Sequence, residues 1–241
     1  MIKYISLKIL KYFDFYYQIK LFKFLKKNNF KDFETFFDVG AHEGESIILF
    51  SKNFNIKRIF SFEPSPINFK KLIQNTKTIQ SKFQNLEINL ENYALGTEKQ
   101  ELLMNQLSET SSSTINNIDQ NSKYFKKKNV FLNLIKNNNF MNQIQVNQIR
   151  LSDYLEQKKI SKIDFLKIDT EGYEFNVLLG MGKYIRDVNI IMFEHHYDDM
   201  LIKNYSFSDI HNLLKKNNFN QIFKYKMPFR KTFEYVYKKF D

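Results

Sequence analysis

The 241-residue chain has no cysteine and no tryptophan, and it holds only six glycines, three prolines and two alanines, Ala41 and Ala94. Without cysteine there are no disulfides, no thiolate nucleophiles and no cysteine-based zinc sites. No apolar run reaches the roughly 18 charge-free residues that a membrane-spanning helix needs. The opening MIKYISLKILKYFDF carries a lysine every few positions, so it lacks the apolar core of a secretory signal. A cytoplasmic protein is expected.

Arginine is scarce as well. Lysine supplies 33 of the 37 basic residues, leaving Arg58, Arg150, Arg186 and Arg230. Together with the abundance of Asn, Ile and Phe, this resembles the bias of an AT-rich genome. The net charge of +11 therefore does not by itself identify a nucleic-acid partner, and none is favoured. Hydrophobic residues at 43% allow a sizeable core and exclude global disorder. The length suits one α/β domain with a short appendage.

Residues 1–34 form a basic, aromatic-rich arm with helical spacing, seen in Ile2, Ile5, Ile9 and again in Leu21, Phe24 and Leu25. Such a helix packs on a domain or lies on a membrane surface as a peripheral contact. From residue 35 to 241, short apolar runs alternate with helical stretches, the pattern of βα units. Strands are expected at Phe36–Val39, Arg58–Phe62, Leu86–Leu90, Glu101–Met104, Ile163–Ile168 and Val188–Phe193, with closing strands at Phe219–Tyr225 and Thr232–Tyr237. Helices are expected over Glu45–Lys52, from about Pro64, and over Phe207–Lys216. Residues 105–142 lack a firm period and read as a mobile excursion or as an insert with a helix near Ser122–Lys136.

Four segments carry the chemistry. Asp38-Val39-Gly40-Ala41-His42-Glu43-Gly44 joins a strand to a helix, where glycines let a ligand approach the backbone. Its D-x-G-x-x-x-G spacing is neither the dinucleotide fingerprint nor a Walker loop, and it suits a cofactor bearing an amino-acid group. Glu63, at the end of the second strand and before Pro64, is placed to accept from both hydroxyls of a ribose. Asp169-Thr170-Glu171-Gly172-Tyr173-Glu174 clusters acceptors where a buried strand emerges, although helix capping explains some of them. Glu194-His195-His196 ends the fifth strand, with Glu194 and His196 on one side and His195 on the other. One of these histidines suits a general base. Alternatively Asp169, Glu194 and His196 bind a divalent ion, a cofactor not favoured here.

In order, FFDVGAHEG, FEPSPINFKKL, LSDYL, IDFLKIDTEGYEFNVLLGM and FEHHYDD resemble the FkbM-type S-adenosylmethionine-dependent methyltransferases, over about residues 35–200. The resemblance implies a Rossmann-like class I α/β fold, with a seven-stranded, mostly parallel sheet whose last strand is antiparallel. It implies that the turn holding Asp38, Gly40, Ala41, His42 and Gly44 lines the methionine end of S-adenosyl-L-methionine. Glu63 and Pro64 would lie at the ribose, and Tyr93 and Ala94 at the adenine. His42 stands where the family often has Asn. The family typically methylates hydroxyls, so an O-methyltransferase acting on a sugar, glycan or related small molecule is expected. His195 or His196 would be the base, with Asp169 and Glu171 orienting acceptor or cofactor.

Competing classes lack their marks. A nicotinamide-dependent oxidoreductase should show G-x-G-x-x-G. A nucleic-acid N-methyltransferase often carries Asn/Asp-Pro-Pro-aromatic after the fourth strand, and this chain has no Pro-Pro. A non-catalytic nucleotide- or membrane-binding module would not need intact cofactor positions.

Overall fold

The computed structural model describes residues 18–83, 85–107, 112–127, 141–228 and 230–240. Residues 1–17 of the expected arm and residues 128–136 of the expected insert helix lie outside the described residues.

Residues 18–27 are helical (α1), and Leu21, Phe22 and Leu25 are buried in the core against the first strand and helix of the sheet. There follow β1 (Asp32–Val39), α2 (Glu45–Asn53), β2 (Asn55–Phe62), α3 (Pro66–Lys82) and β3 (Glu87–Glu91). Then come β4 (Ala94–Leu95), β5 (Gln100–Leu107), β6 (Asn117–Ile118), a helical turn at 123–127 (α4) and β7 (Met141–Ile149). The chain closes with α5 (Leu151–Gln157), β8 (Ile163–Ile168), α6 (Glu174–Leu179), a 3-10 turn at Gly182–Asp187, β9 (Val188–His196), β10 (Leu201–Ile202), α7 (Phe207–Lys216), β11 (Phe219–Lys226) and β12 (Thr232–Lys239).

Seven strands form the main sheet in the order β11-β12-β9-β8-β1-β2-β3. The β1–β2, β1–β8, β2–β3 and β8–β9 pairs are parallel, and β12 runs antiparallel between β9 and β11. This is the expected sheet, with its last strand reversed. Strand order turns outward in opposite directions from β1 and β8. The crevice at their C-terminal ends is where open α/β sheets bind ligands.

Both faces of the sheet are covered, which explains why the central strands are apolar almost throughout. Phe37, Phe62, Leu166, Ile168 and Phe193 point to one core, and Phe36, Ile59, Phe165, Ile190 and Met192 to the other. A polar residue inside such a run must therefore be paired. Asp38 on β1 and Lys167 on β8 are register partners on the second face, 0% and 6% exposed.

α3 begins at Pro66 rather than Pro64, because the side chain of Ser65 caps it by accepting from Asn68 N–H. A second sheet of order β4-β7-β5 stands beside the crevice. Residues 112–118 are built onto the molecule: Thr114 bridges to Asn105, and β6 pairs with β10. Among the described residues no helix is long and apolar enough to cross a membrane.

Candidate active site

At the C-terminal ends of β1, β2 and β8 lies an open cleft, with about 550 Å³ of empty space that includes solvent at its mouth. Gly40, His42, Glu63, Pro64, Asp169, Thr170 and Glu171 form its polar side, and Tyr93, Ala94, Leu95, Met104 and Ile115 its apolar wall.

Backbone contacts fix the floor. Gly40 and Ala41 both donate their N–H to the Phe62 carbonyl, at 2.9 and 3.0 Å, and Asp169 N–H donates to Val39 O at 2.9 Å. Gly40 adopts φ +81°, and a Cβ there would sit 1.9 Å from the Asp169 carbonyl oxygen. Only glycine allows strands β1 and β8 to close at this point. His42 is left-handed too, at φ 49°, a region in which Asn and His are several-fold enriched. The backbone at His42 is thus one that a histidine accepts.

Glu63 is 4% exposed and lies inside the cleft. Its carboxylate accepts from His42 N–H through Oε2 and from Ser65 N–H through Oε1, each at 2.9 Å. Burial pushes its pKa up to about 7, against the pull of the Ser65 and His42 hydrogen bonds. The Asn68 side chain hydrogen-bonds the same carboxylate, and of the roughly four lone-pair directions a carboxylate offers, one remains for a ligand.

Asp38 lies beneath the cleft and does not line it. Its carboxylate faces Lys167 Nζ at 3.4 Å, and the same ammonium donates to Asp169 Oδ2 at 3.1 Å. Burial raises Asp38 despite Lys167. Burial also acts to raise Asp169, but there the ammonium prevails and holds the carboxyl below its ordinary value. Ala41 is packed in the core, and Gly44 is the left-handed N-cap of α2 against Leu72. Neither borders the cleft.

At the rim, Glu171 faces His196. His196 Nε2 lies 3.3 Å from both Glu171 Oε2 and Glu194 Oε1, and its Nδ1 lies 3.3 Å from Asp198 Oδ2. Burial would lower this imidazole, but Glu171, Asp198 and Glu194 together push it up to about 10. It is an imidazolium at neutral pH. Glu194 is raised, first by burial and then by Asp169. His195 points to the opposite face, among Tyr197, Tyr205 and Phe207, and burial followed by the Lys203 and His196 charges lowers it to about 3. The strand alternation expected from sequence is observed. Neither histidine lines the cleft.

Asp169, Glu194 and His196 are not arranged as a ligand set, since Asp169 turns to Lys167 while His196 turns to carboxylates. Among the described residues no group of three His, Asp or Glu side chains is placed to hold a metal ion. Glu174 is structural: fully buried, its Oε1 accepts from Gly172 N–H at 2.8 Å and from Thr170 N–H at 3.3 Å, closing the turn.

Sequence reasoning missed Ser113, Thr114 and Ile115, which line the cleft, with Thr114 bonded to Glu171. They sit in a Ser-rich stretch with no periodicity, and only tertiary contact brings them here. Tyr173 and Asn68 also line the cleft, from within motifs already noted.

A family model described as the methyltransferase FkbM domain matches residues 38–220. Comparison with curated proteins returns no match. Among solved structures, the chain is similar to the methyltransferase FkbM from Methylobacillus flagellatus KT, with 15% identity and a TM-score of 0.54. That match covers 86% of this chain and 44% of the Methylobacillus protein, so the chain spans less than half of that protein's length. It is also similar to magnesium protoporphyrin IX methyltransferase (ChlM) from Synechocystis PCC 6803 with bound SAM, with 10% identity and a TM-score of 0.52, covering 98% of this chain and 81% of that one. These likenesses show the fold, that of the class I methyltransferases.

Proposed function

Because the chain belongs to the methyltransferase FkbM domain family, we propose that it transfers a methyl group from S-adenosylmethionine to a hydroxyl of a sugar, glycan or related small molecule. The observation that carries this reading is Glu63, a buried carboxylate inside the cleft at the end of the second strand, braced by two backbone N–H groups at 2.9 Å and by the Asn68 side chain, with acceptor capacity left for a ribose hydroxyl. The other residues fit the same ligand. Tyr93, Ala94, Leu95, Met104 and Ile115 offer an apolar slot for an adenine, and the Gly40 backbone and Thr170 border the amino-acid end. A hydroxyl acceptor is supported by the family resemblance and by Asp169-Thr170-Glu171-Gly172 standing where N-methyltransferases often carry Pro-Pro.

The cofactor, when bound, supplies a methyl group already activated on a sulfonium, so the chain's own tasks are alignment and removal of one proton. Of the rim carboxylates facing His196, Glu171 is the one that lines the cleft. We assign it to receive the acceptor's hydroxyl proton, in place of His195 or His196. That proton becomes strongly acidic as the new C–O bond forms, so a carboxylate suffices. His196, already protonated, holds the Glu171 carboxylate in place. Asp169, tied to Lys167, keeps the turn fixed against β1.

The test is calorimetric titration of the full chain with S-adenosylhomocysteine and with NAD, each with and without chelator. Micromolar binding of the homocysteine product alone, lost in Glu63→Ala, is expected. Turnover on a sugar panel should then vanish in Glu171→Gln with product affinity unchanged. Binding of NAD, or of neither nucleotide, would overturn the reading.

A further inference from the structure

Among the described residues, the excess of positive charge lies at one edge of the molecule. Residues 32–218, which hold the whole cleft, contain 23 Lys and Arg against 23 Asp and Glu. Residues 18–31 and 219–240 contain eleven Lys and Arg and a single carboxylate, Glu234, which is 5% exposed. A compositional bias toward lysine acts on every segment alike. It does not explain why residues 32–218 are balanced while the segments on either side of them carry the excess.

The fold joins those two segments. α1 packs beside β11, the outermost strand of the main sheet: Phe24 and Phe223 lie 4.8 Å apart between ring centroids, and Lys20 Nζ is 5.6 Å from the Tyr225 ring. With Leu21, Phe22 and Leu25 facing the core, Lys23 and Lys27 are exposed on the outer side of the helix. On the strand itself Lys224 and Lys226 are exposed, with Lys224 Nζ 4.6 Å from the Phe233 ring. Phe240, 44% exposed, ends the same edge under Lys238.

From this arrangement we infer that the β11 edge and α1 together form a docking surface for an anionic phospholipid bilayer. The chemistry suits lipid: lysines are point charges matched to a diffuse layer of headgroups, and the exposed ring of Phe240 lies among them under Lys238. Lysines near an anionic leaflet each contribute additively, and exposed aromatic rings among them settle at headgroup depth. One end of the edge reaches the strand end that carries His196, the partner of the cleft residue Glu171. The hairpin between β11 and β12 accepts Tyr197 N–H at the Lys231 carbonyl, 2.7 Å, and Thr232 pairs with His196. A bilayer on this edge therefore lies next to the opening through which an acceptor enters. That last consequence rests on the proposed transferase reading; the docking itself does not.

The test is co-sedimentation of the full chain with phosphatidylcholine vesicles, with and without phosphatidylglycerol, beside a variant combining Lys23→Gln, Lys27→Gln, Lys224→Gln and Lys226→Gln. Binding only to the anionic vesicles, released by salt and weakened about five-fold for each lysine removed, is expected. The variant should bind S-adenosylhomocysteine as the parent does, which separates failure of docking from failure of the cofactor assignment. Three results would overturn the inference: no binding to anionic vesicles, equal binding by the variant, or displacement from vesicles by polyuridylate, which would mark the edge as an RNA surface.

Discussion

The side-chain hydroxyl of Thr114 donates to the main-chain carbonyl of Glu171 across 2.7 Å, tying the segment after β5 to the turn after β8. Asn116 Nδ2 does the same for the Gly172 carbonyl at 2.6 Å. The turn needs such support, because Glu171 is left-handed at φ 50° and Gly172 at φ 93°. A non-glycine residue in that region costs roughly 1–2 kcal/mol. Replacing Thr114 by Val keeps the shape and removes the donor, so about 1–2 kcal/mol of stability should be lost. For a chain of this size that is a Tm lower by about 2–8 °C in a thermal melt. An unchanged Tm would mean that the turn holds itself.

Gly40 and Gly182 both have positive φ, at +81° and +52°, yet they should respond differently to alanine. At Gly182 a Cβ meets nothing within 4 Å, so Gly182→Ala costs only backbone strain, about 1–2 kcal/mol. At Gly40 the same strain is joined by a 1.9 Å collision with the Asp169 carbonyl, which belongs to backbone and cannot swing away. Gly40→Ala should therefore force β1 and β8 apart, abolish S-adenosylhomocysteine binding and lower Tm several times further. Equal melting temperatures for the two variants would contradict this account.

The main sheet was legible because its strands are buried on two faces. Ile163–Ile168 and Val188–Phe193 announce themselves as apolar runs, and in such runs Asp38, Lys167 and Glu194 stand out as residues that must have partners. Glu63 and Gly40 were legible for the same reason, as polar or permissive residues at strand ends. β7 was not. Its sequence, MNQIQVNQI, is half exposed and mostly polar, and it is a strand only because β5 and β4 pair with it. Ser113–Ile115 escaped likewise, since nothing in a Ser-rich stretch reports that Thr114 will find a carbonyl 57 residues away. In the proposed reading the base is Glu171 rather than His195 or His196, on electrostatic grounds. Sequence showed a histidine pair beside carboxylates but not that three of them converge on one ring.

Cofactor affinity should depend on pH through Glu63. Burial raises its carboxyl to about 7, and ribose hydroxyls need the ionised form as acceptor. Affinity should therefore be full above that value and fall as pH drops through it. Between pH 8 and pH 6 the ionised fraction changes about ten-fold, which bounds the expected rise in Kd for S-adenosylhomocysteine. Glu63→Gln, which keeps an acceptor but does not titrate, should bind more weakly and with a flat profile. Titration calorimetry at three pH values decides it, and a sloping profile in the variant would point to another group.

His196 is expected to matter most where its ring is charged. Its raised value, about 10 against an ordinary 6.5, means that its stabilising contribution is complete below 6.5 and is lost as pH rises through about 10. In His196→Asn the side chains of Glu171, Glu194 and Asp198 lose the cation that faces all three. Removing one partner from such a cluster costs about 3–5 kcal/mol. That cost should be full near pH 6 and shrink as pH rises toward 10, where the parent's imidazolium gives up its proton. Melting curves of parent and variant should thus converge on the alkaline side. A gap that stays constant up to pH 10 would show that the imidazolium is not what balances these groups.

Lys167 offers the sharpest separation of stability from function. Its ammonium is the charge partner of Asp38 at 3.4 Å and of Asp169 at 3.1 Å, and all three groups sit at the ends of adjacent parallel strands. Burial works against the ammonium, but the two carboxylates more than offset it and hold its pKa above the ordinary lysine value. Lys167→Met keeps most of the side-chain length and strands the buried Asp38 beside the cleft-facing Asp169, so a loss of about 3 kcal/mol is expected. Combining it with Asp38→Asn and Asp169→Asn removes the stranded charges, and most of the stability should return. Function should not return with it. The amino-acid end of the cofactor is bound beside Asp169 in the proposed reading, so the triple variant should bind S-adenosylhomocysteine weakly. It should still bind 5′-methylthioadenosine, which lacks that end, as the parent does. Equal weakening for both ligands would mean that the triad supports the whole cleft rather than one end of it. Full recovery of S-adenosylhomocysteine affinity would mean that charge at this point of the sheet is dispensable for the cofactor, and that the Gly40 backbone alone positions it.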